Sequence, residues 1–331
     1  MPDVCVDDGN MKSVQDAFRQ ARIHAVRHMA ACERAALRWG ETSVTETVIS
    51  RVAEAVIVIP FTQRAEALSG ADWVWWWVDG TSAYGMLVQA KRVTVTAGRW
   101  NFDFDYRATG AARRQREILQ STAATLGLLP VYALYLGTGD YRNWESCSDS
   151  HRTGRCLPCV KRSVSLMPAL LSEELIVDGA SSIYERSVAL EDIWAPTQAE
   201  ALLSPELEKQ LAPELSEFLK TPQGGPRAIT RTMIDRVLRV RAGAFSAVSP
   251  TRDKALGDGD HEQLGPVFGD LPNDTGNWGL NYFEHTLNPL HQAPPGYVLE
   301  IASGTLNEGP LASNTPDNVA GIVVVQLPQN G

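Results

Sequence analysis

Six consecutive residues, Trp73 to Val78, read WVWWWV and are all aromatic or β-branched. The turn-forming residues Asp79-Gly80-Thr81-Ser82 close the run, and a second apolar run follows from Tyr84 to Val88. Runs this short, bounded by such turns, fit two antiparallel strands. Strand side chains alternate between faces. Leu87, Gln89 and Lys91 therefore share one face, and Val88, Ala90 and Arg92 the other. Asp72, in the turn Gly70-Ala71-Asp72, stands at the mouth of the first strand. An acid, an amide and an ammonium are thus expected together at one end of a sheet. A carboxylate and an amide oxygen are hard donors that suit Mg²⁺. A lysine can steady a water nucleophile or the charge on a phosphate, so the trio suits phosphodiester chemistry. The plainer alternative is that Asp72 caps a turn and Lys91 is a solvated strand end.

Asp72 followed by Gln89-Ala90-Lys91 resembles the motif of the PD-(D/E)xK, or restriction-endonuclease-like, superfamily, with Gln89 standing where an acid is commoner. The order of elements is similar too: helix, strand, acid, strand with x-Lys, helix, strand, over roughly residues 41–136. The resemblance is nearest to uncharacterised bacterial members that carry Glu, then Gly-Ala-Asp, then Gln-Ala-Lys. It implies an α/β fold, a restriction-endonuclease-like mixed sheet flanked by helices. It also implies a nuclease dependent on Mg²⁺ or Mn²⁺ that hydrolyses DNA, with a role in defence against foreign DNA. Asp72, Gln89 and Lys91 are then the catalytic centre. Gln89 brings no charge, so a second carboxylate is needed. Glu66, a short loop before Asp72, is one candidate and would join Asp72 as a magnesium ligand. In the resembled superfamily a Glu of the first core helix often approaches the metal, and Glu46 is the candidate there, with Glu41 as substitute. The alternative reading is a catalytically silent module of the same fold that binds nucleic acid or a partner protein, which the neutral Gln89 favours.

A chain of 331 residues, 44% hydrophobic and 21% charged, has enough apolar surface for a large core. No apolar run approaches the roughly 20 residues that cross a bilayer. The N-terminal MPDVCVDDGN lacks the apolar stretch of a signal peptide. No membrane partner and a cytoplasmic location are expected. The net charge of −9 argues against non-specific coating of nucleic acid, but a local basic groove is compatible with it. Lys91, Arg92, Arg99, Arg107, Arg113, Arg114 and Arg116 fall together around the motif. Arg92, Arg107, Arg113 and Gln115 are the candidate nucleic-acid contacts, against the alternative of a solvated helix face. A second copy of the chain or a protein of a defence system is the other expected partner.

Along the chain, residues 11–39 carry helical spacing, with His24 and His28 on one face. Ser43 to Glu46 is a capping-box pattern, so a helix is expected to start there. Residues 55–61 (AVIVIPF) read as a buried strand, with Pro60 implying an edge or a bulge. Trp100, Phe102, Phe104 and Tyr106 alternate with polar residues and either pack in the core or stack on unpaired bases. Residues 111–126 read as a helix with Gln115 on its inner face, where a polar group needs a partner. Residues 131–136 are the next strand. Cys147, His151, Cys156 and Cys159, spaced C-x3-H-x4-C-x2-C, resemble a zinc knuckle that would hold structural Zn²⁺ within a loop at 144–160. Ile229 to Phe245 reads as a basic amphipathic helix, residues 246–295 as irregular, and Tyr297 to Ile301 and Gly321 to Leu327 as strands. The expected organisation is an N-terminal helical segment at 1–40, a nuclease-like core at 41–200 with the zinc-knuckle-like loop inserted, and an α+β extension at 201–331 that returns two strands to the core.

Overall fold

The computed structural model describes residues 8–61, 71–96, 99–107, 112–137, 157–172, 186–194, 212–247, 282–305 and 319–327. The helices are α1 (Asp8–Arg34), α2 (Glu41–Val52), α3 (Gln115–Leu126), α4 (Leu157–Lys161), α5 (Pro213–Lys220), α6 (Gly225–Ala247), α7 (Tyr282–Leu287) and α8 (Gly296–Ser303). The strands are β1 (Ile57–Pro60), β2 (Trp73–Val78), β3 (Ala83–Arg92), β4 (Thr94–Thr96), β5 (Arg99–Asn101), β6 (Leu129–Tyr135), β7 (Val164–Pro168), β8 (Val188–Ala189), β9 (Leu290–His291) and β10 (Gly321–Gln326).

The tryptophan-rich run and its apolar successor form the expected hairpin, with Trp73 opposite Val88 and Val78 opposite Ala83. Asp79 makes the turn. Its Oδ1 accepts the amides of Thr81 and Ser82 at 2.8 and 2.7 Å. This is the local hydrogen bonding that draws Asp to turns. The hairpin is the centre of a mixed sheet ordered β1-β10-β2-β3-β6-β7-β8, with β9 pairing the start of β3. The β10–β2 and β3–β6 pairs are parallel and the others antiparallel. The parallel β3–β6 pair is joined by a crossover that carries α3, as parallel neighbours require. Strand β1, which holds Pro60, lies at the sheet's edge, where a missing N–H is tolerated.

Both faces of the sheet are covered, and the period-two pattern divides them. Trp75 and Trp77 of β2 join Tyr84, Met86, Val88 and Ala90 of β3 against α1, α2, α5 and α6. Phe18 of α1 lies between Trp75, Trp77 and Trp194, with ring centroids 5.3–5.8 Å away. On the other face Val74 and Trp76 join Leu87, Tyr132 and Leu134 against α3 and α8. Trp76 Nε1 donates to Tyr297 Oη at 2.8 Å, so a buried indole N–H is satisfied. A strand apolar on both faces can only be central, which is why the WVWWWV run lies in mid-sheet.

Several expectations need correction. Helix α2 begins at Glu41 with Gly40 as its N-cap, two residues before the capping-box pattern, and Ser43 Oγ donates to the Gly40 carbonyl. Residues 297–301 lie in α8, where Tyr297, Val298 and Ile301 are buried at helical spacing. The second returning strand is β9. Strands β7 and β8 extend the sheet beyond β6 and had no sequence signal that set them apart from short apolar loops. The first half of α6, read as a basic amphipathic helix, is buried on its basic side as well as its apolar one. It crosses β2, β3 and β7 with Ile229, Met233 and Ile234 in the core. Arg231 is buried there and its Nε donates to the Leu219 carbonyl at 3.0 Å.

Candidate active site

Strand β3 outruns its partner. The β2–β3 pairing ends at Trp73, and Asp72 adds one further bond, its N–H to the Val88 carbonyl at 2.9 Å. The next two amides on that side of β3 belong to Ala90 and Arg92, and each is met by a carboxylate. Asp72 Oδ2 accepts the Ala90 N–H at 2.6 Å, and Glu41 Oε1 accepts the Arg92 N–H at 2.9 Å. Amides two residues apart on a strand are about 6.6 Å apart, so the two acids stand side by side along the exposed ladder. They come from opposite directions: Asp72 from the start of β2, Glu41 from the first turn of α2.

Between the two amides lies Lys91. Alternation sends its side chain to the α3 face, where Nζ donates to Gln115 Oε1 at 2.8 Å. Gln115 is the first residue of α3, and its own N–H donates to the Tyr106 carbonyl at 3.0 Å. The inward-facing glutamine of the sequence therefore meets the lysine of the motif. Lys91 is 6% exposed. Burial lowers its pKa from the ordinary lysine value, while the charges of Glu41, Asp103 and Asp72 oppose that shift. Gln89, on the same face two residues earlier, is buried as well. One end of the sheet thus holds an ammonium with two acids of the ladder and a third, Asp103, facing it.

The other candidates divide. Glu46 is exposed on α2, and Glu41 takes the place expected of it. The reason is helical phase. Val44, Val48 and Val52 form the buried stripe of α2, and position 41 falls one turn before it, while position 46 is turned away by about 140° from 41 at 100° per residue. That apolar stripe sets the two acids on different faces of α2, and its packing against the sheet brings Glu41 to the site. Arg92 turns to the α2 face, where its Nη1 donates to the Trp39 carbonyl at 2.8 Å. Arg107 and Arg113 are exposed, and Arg113 Nη2 donates to the Glu117 carbonyl at 3.0 Å. Arg114 and Arg116 share Asp105, at 3.0 and 3.7 Å. Phe102 and Phe104 are core residues, stacked at 5.3 Å, whereas Tyr106 is 47% exposed. Glu66, Cys147, His151 and Cys156 lie outside the described residues. Cys159 is buried in α4 among the apolar residues of the α3 face. His28 Nε2 contacts Ser43 Oγ at 3.1 Å and ties α1 to α2.

The donor set suits a hard cation. Asp72, Glu41 and Gln89 offer oxygen only, and Mg²⁺ is commonly held by one or two carboxylates with water and phosphate completing its shell. Among the described residues no group of three or more His, Cys, Asp or Glu is placed to hold a metal. Among the described residues no helix is long and apolar enough to cross a membrane. Residues 14–325 match the model of a family of unknown function, DUF6615. No curated protein and no solved structure matches the chain.

Proposed function

The chain belongs to DUF6615, a family of unknown function, and from the site at the end of β2 and β3 we propose that it is a metal-dependent nuclease of the restriction-endonuclease-like kind, acting on DNA. The observation that carries this reading is the seating of two carboxylates, Asp72 and Glu41, on alternate amides of β3 with Lys91 between them. The order α2, β1, Asp72 with β2, β3, α3, β6, with β6 parallel to β3, supports it further.

In this reading Asp72 and Glu41, with the Gln89 amide oxygen, would hold Mg²⁺ or Mn²⁺. The bound ion would supply Lewis acidity at a phosphate oxygen and a lowered pKa for water. The backbone amides of Ala90 and Arg92 orient the two carboxylates by taking one oxygen of each. Lys91 offers positive charge to a phosphate from a desolvated position, where electrostatic stabilisation is strongest. Gln115 holds that ammonium in place. Arg107 and Arg113, exposed beside α3, would meet the nucleic-acid backbone.

The test is cleavage of supercoiled plasmid and of a single-stranded oligonucleotide with Mg²⁺ or Mn²⁺, with EDTA as control. Asp72→Ala, Glu41→Ala and Lys91→Ala are each expected to lose on the order of 100-fold or more in rate. Glu46→Ala should keep the parent rate. Folded parent protein that retains nucleic acid, cuts neither substrate with Mn²⁺ and binds no less tightly as Asp72→Ala would replace this reading with that of a silent binding module.

A further inference from the structure

Glu41 is held at more than its carboxylate. Its carbonyl accepts the Thr45 hydroxyl at 2.9 Å, one turn along α2. That bond uses the single proton Thr45 has. The 2.7 Å contact between Thr45 Oγ1 and Tyr135 Oη is then one in which the tyrosine donates. A relay runs from Tyr135 through Thr45 to the backbone of Glu41. On the other side of Glu41, Arg92 reaches back with Nη1 to the Trp39 carbonyl, while its backbone N–H takes the Glu41 carboxylate. Arg92 and Tyr135 are register partners across the β3–β6 pair. One cross-strand pair therefore grips the chain before Glu41, at its carbonyl and at its side chain.

Packing alone does not account for this arrangement. Tyr135 is buried among apolar residues of the α2 face, where phenylalanine would fill the same space without a hydroxyl to satisfy. Burial raises its pKa far above the ordinary tyrosine value, opposed by the Thr45 bond, with the charges of Asp72 and Glu41 raising it further. Its hydroxyl is thus a neutral donor throughout the working range of pH.

We propose that Arg92 and Tyr135 are positioning residues that seat the Glu41 carboxylate beside Asp72, joining the first turn of α2 to the two strands that frame the site. The proposal rests on the reading of Glu41 as a site carboxylate, and its test separates the two. Amide exchange at Arg92 reports whether Glu41 is seated, and it requires neither metal nor substrate. In the full chain, Tyr135→Phe is expected to speed Arg92 exchange roughly 5- to 10-fold, the factor of one ordinary hydrogen bond, and to leave the amide of Val131 in mid-β6 unchanged. Thr45→Val removes the acceptor without altering β6 and should do the same. Glu41→Ala should also speed exchange, and Tyr135→Phe added to it should change nothing more, because the two act through one contact. Titration with Mn²⁺ should show about tenfold weaker binding in Tyr135→Phe, with no further loss when Glu41 is already alanine. Unchanged Arg92 exchange in both Tyr135→Phe and Thr45→Val, or effects that add fully to that of Glu41→Ala, would overturn the proposal. Parent protein that binds no Mn²⁺ while Arg92 exchange responds as described would remove the metal-site reading and sustain the positioning role.

Discussion

Lys91 carries its charge at a cost. Its ammonium is buried, one hydrogen bond to Gln115 holds it, and its pKa lies below the ordinary 10.5. The sign follows from linkage. Between the lowered value and 10.5 the unfolded chain holds a proton that the folded chain has released, so stability rises with pH across that window. Below it the folded state bears the full penalty of the buried charge. Lys91→Met is therefore expected to unfold at a higher temperature than the parent at neutral pH. The advantage should shrink as pH rises through the window. Thermal unfolding at neutral pH and near pH 10 checks both parts, and a lower unfolding temperature at neutral pH would mean that Glu41, Asp72 and Asp103 stabilise the ammonium more than burial penalises it. The position of Lys91 beside Asp72 was legible in the sequence, since it needed only the hairpin register. Its bond to Gln115 was half legible: the inward face of α3 pointed to a partner and left the partner unnamed.

At the scale of elements, the β2–β3 turn does two things at once. Asp79 closes the hairpin through Oδ1, and its other oxygen lies against Gly225, the first residue of α6. A carboxylate at a helix N-terminus is favourable to the helix dipole. Gly225 has φ of +54°, and a Cβ there would overlap the Asp79 carboxylate. Gly225→Ala should destabilise the protein by about 2 kcal/mol, from the left-handed backbone together with displacement of Asp79. Gly296, the first residue of α8, is the control. A Cβ there meets nothing within 4 Å, so Gly296→Ala should stay within about 0.5 kcal/mol of the parent. Urea denaturation of the two variants measures the contrast, and equal losses would mean that Asp79 and α6 are not coupled. The burial of α6 was not legible. Its arginines gave it a basic face by spacing alone, and nothing local says that Arg231 finds a carbonyl in the core.

At the scale of the molecule, β10 is an interior strand. Strand β10 lies between β1 and β2, pairs along all six residues of β2, and contributes Val323 and Val325 to one core and Ile322 and Val324 to the other. The last of the described strands thus separates the first of them from the hairpin that carries Asp72. Its neighbour Ala320 donates to the Asp72 carbonyl at 2.7 Å, so the strand also touches the site. A chain ending at residue 318 should lose the single cooperative transition expected of an intact sheet, because β1 would have no partner and two apolar faces would open. Calorimetry and near-ultraviolet dichroism of that chain are the measurements. A sharp transition at the parent temperature would show that β10 is dispensable.

By itself the sequence determined the β2–β3 hairpin, its alternation and the side of the sheet on which Gln89 and Lys91 lie, because those follow from backbone geometry and short-range pattern. It also determined that an acid stands at the mouth of β2. Only the tertiary structure decided which second acid joins Asp72. Glu41 and Glu46 are equally available along the chain, and the choice between them turns on the phase of α2 against the sheet. Only the tertiary structure brought β10 between β1 and β2, and paired Arg92 with Tyr135 around the first turn of α2. Those are contacts between residues far apart in sequence, set by which apolar faces can be buried together, and no local pattern encodes them.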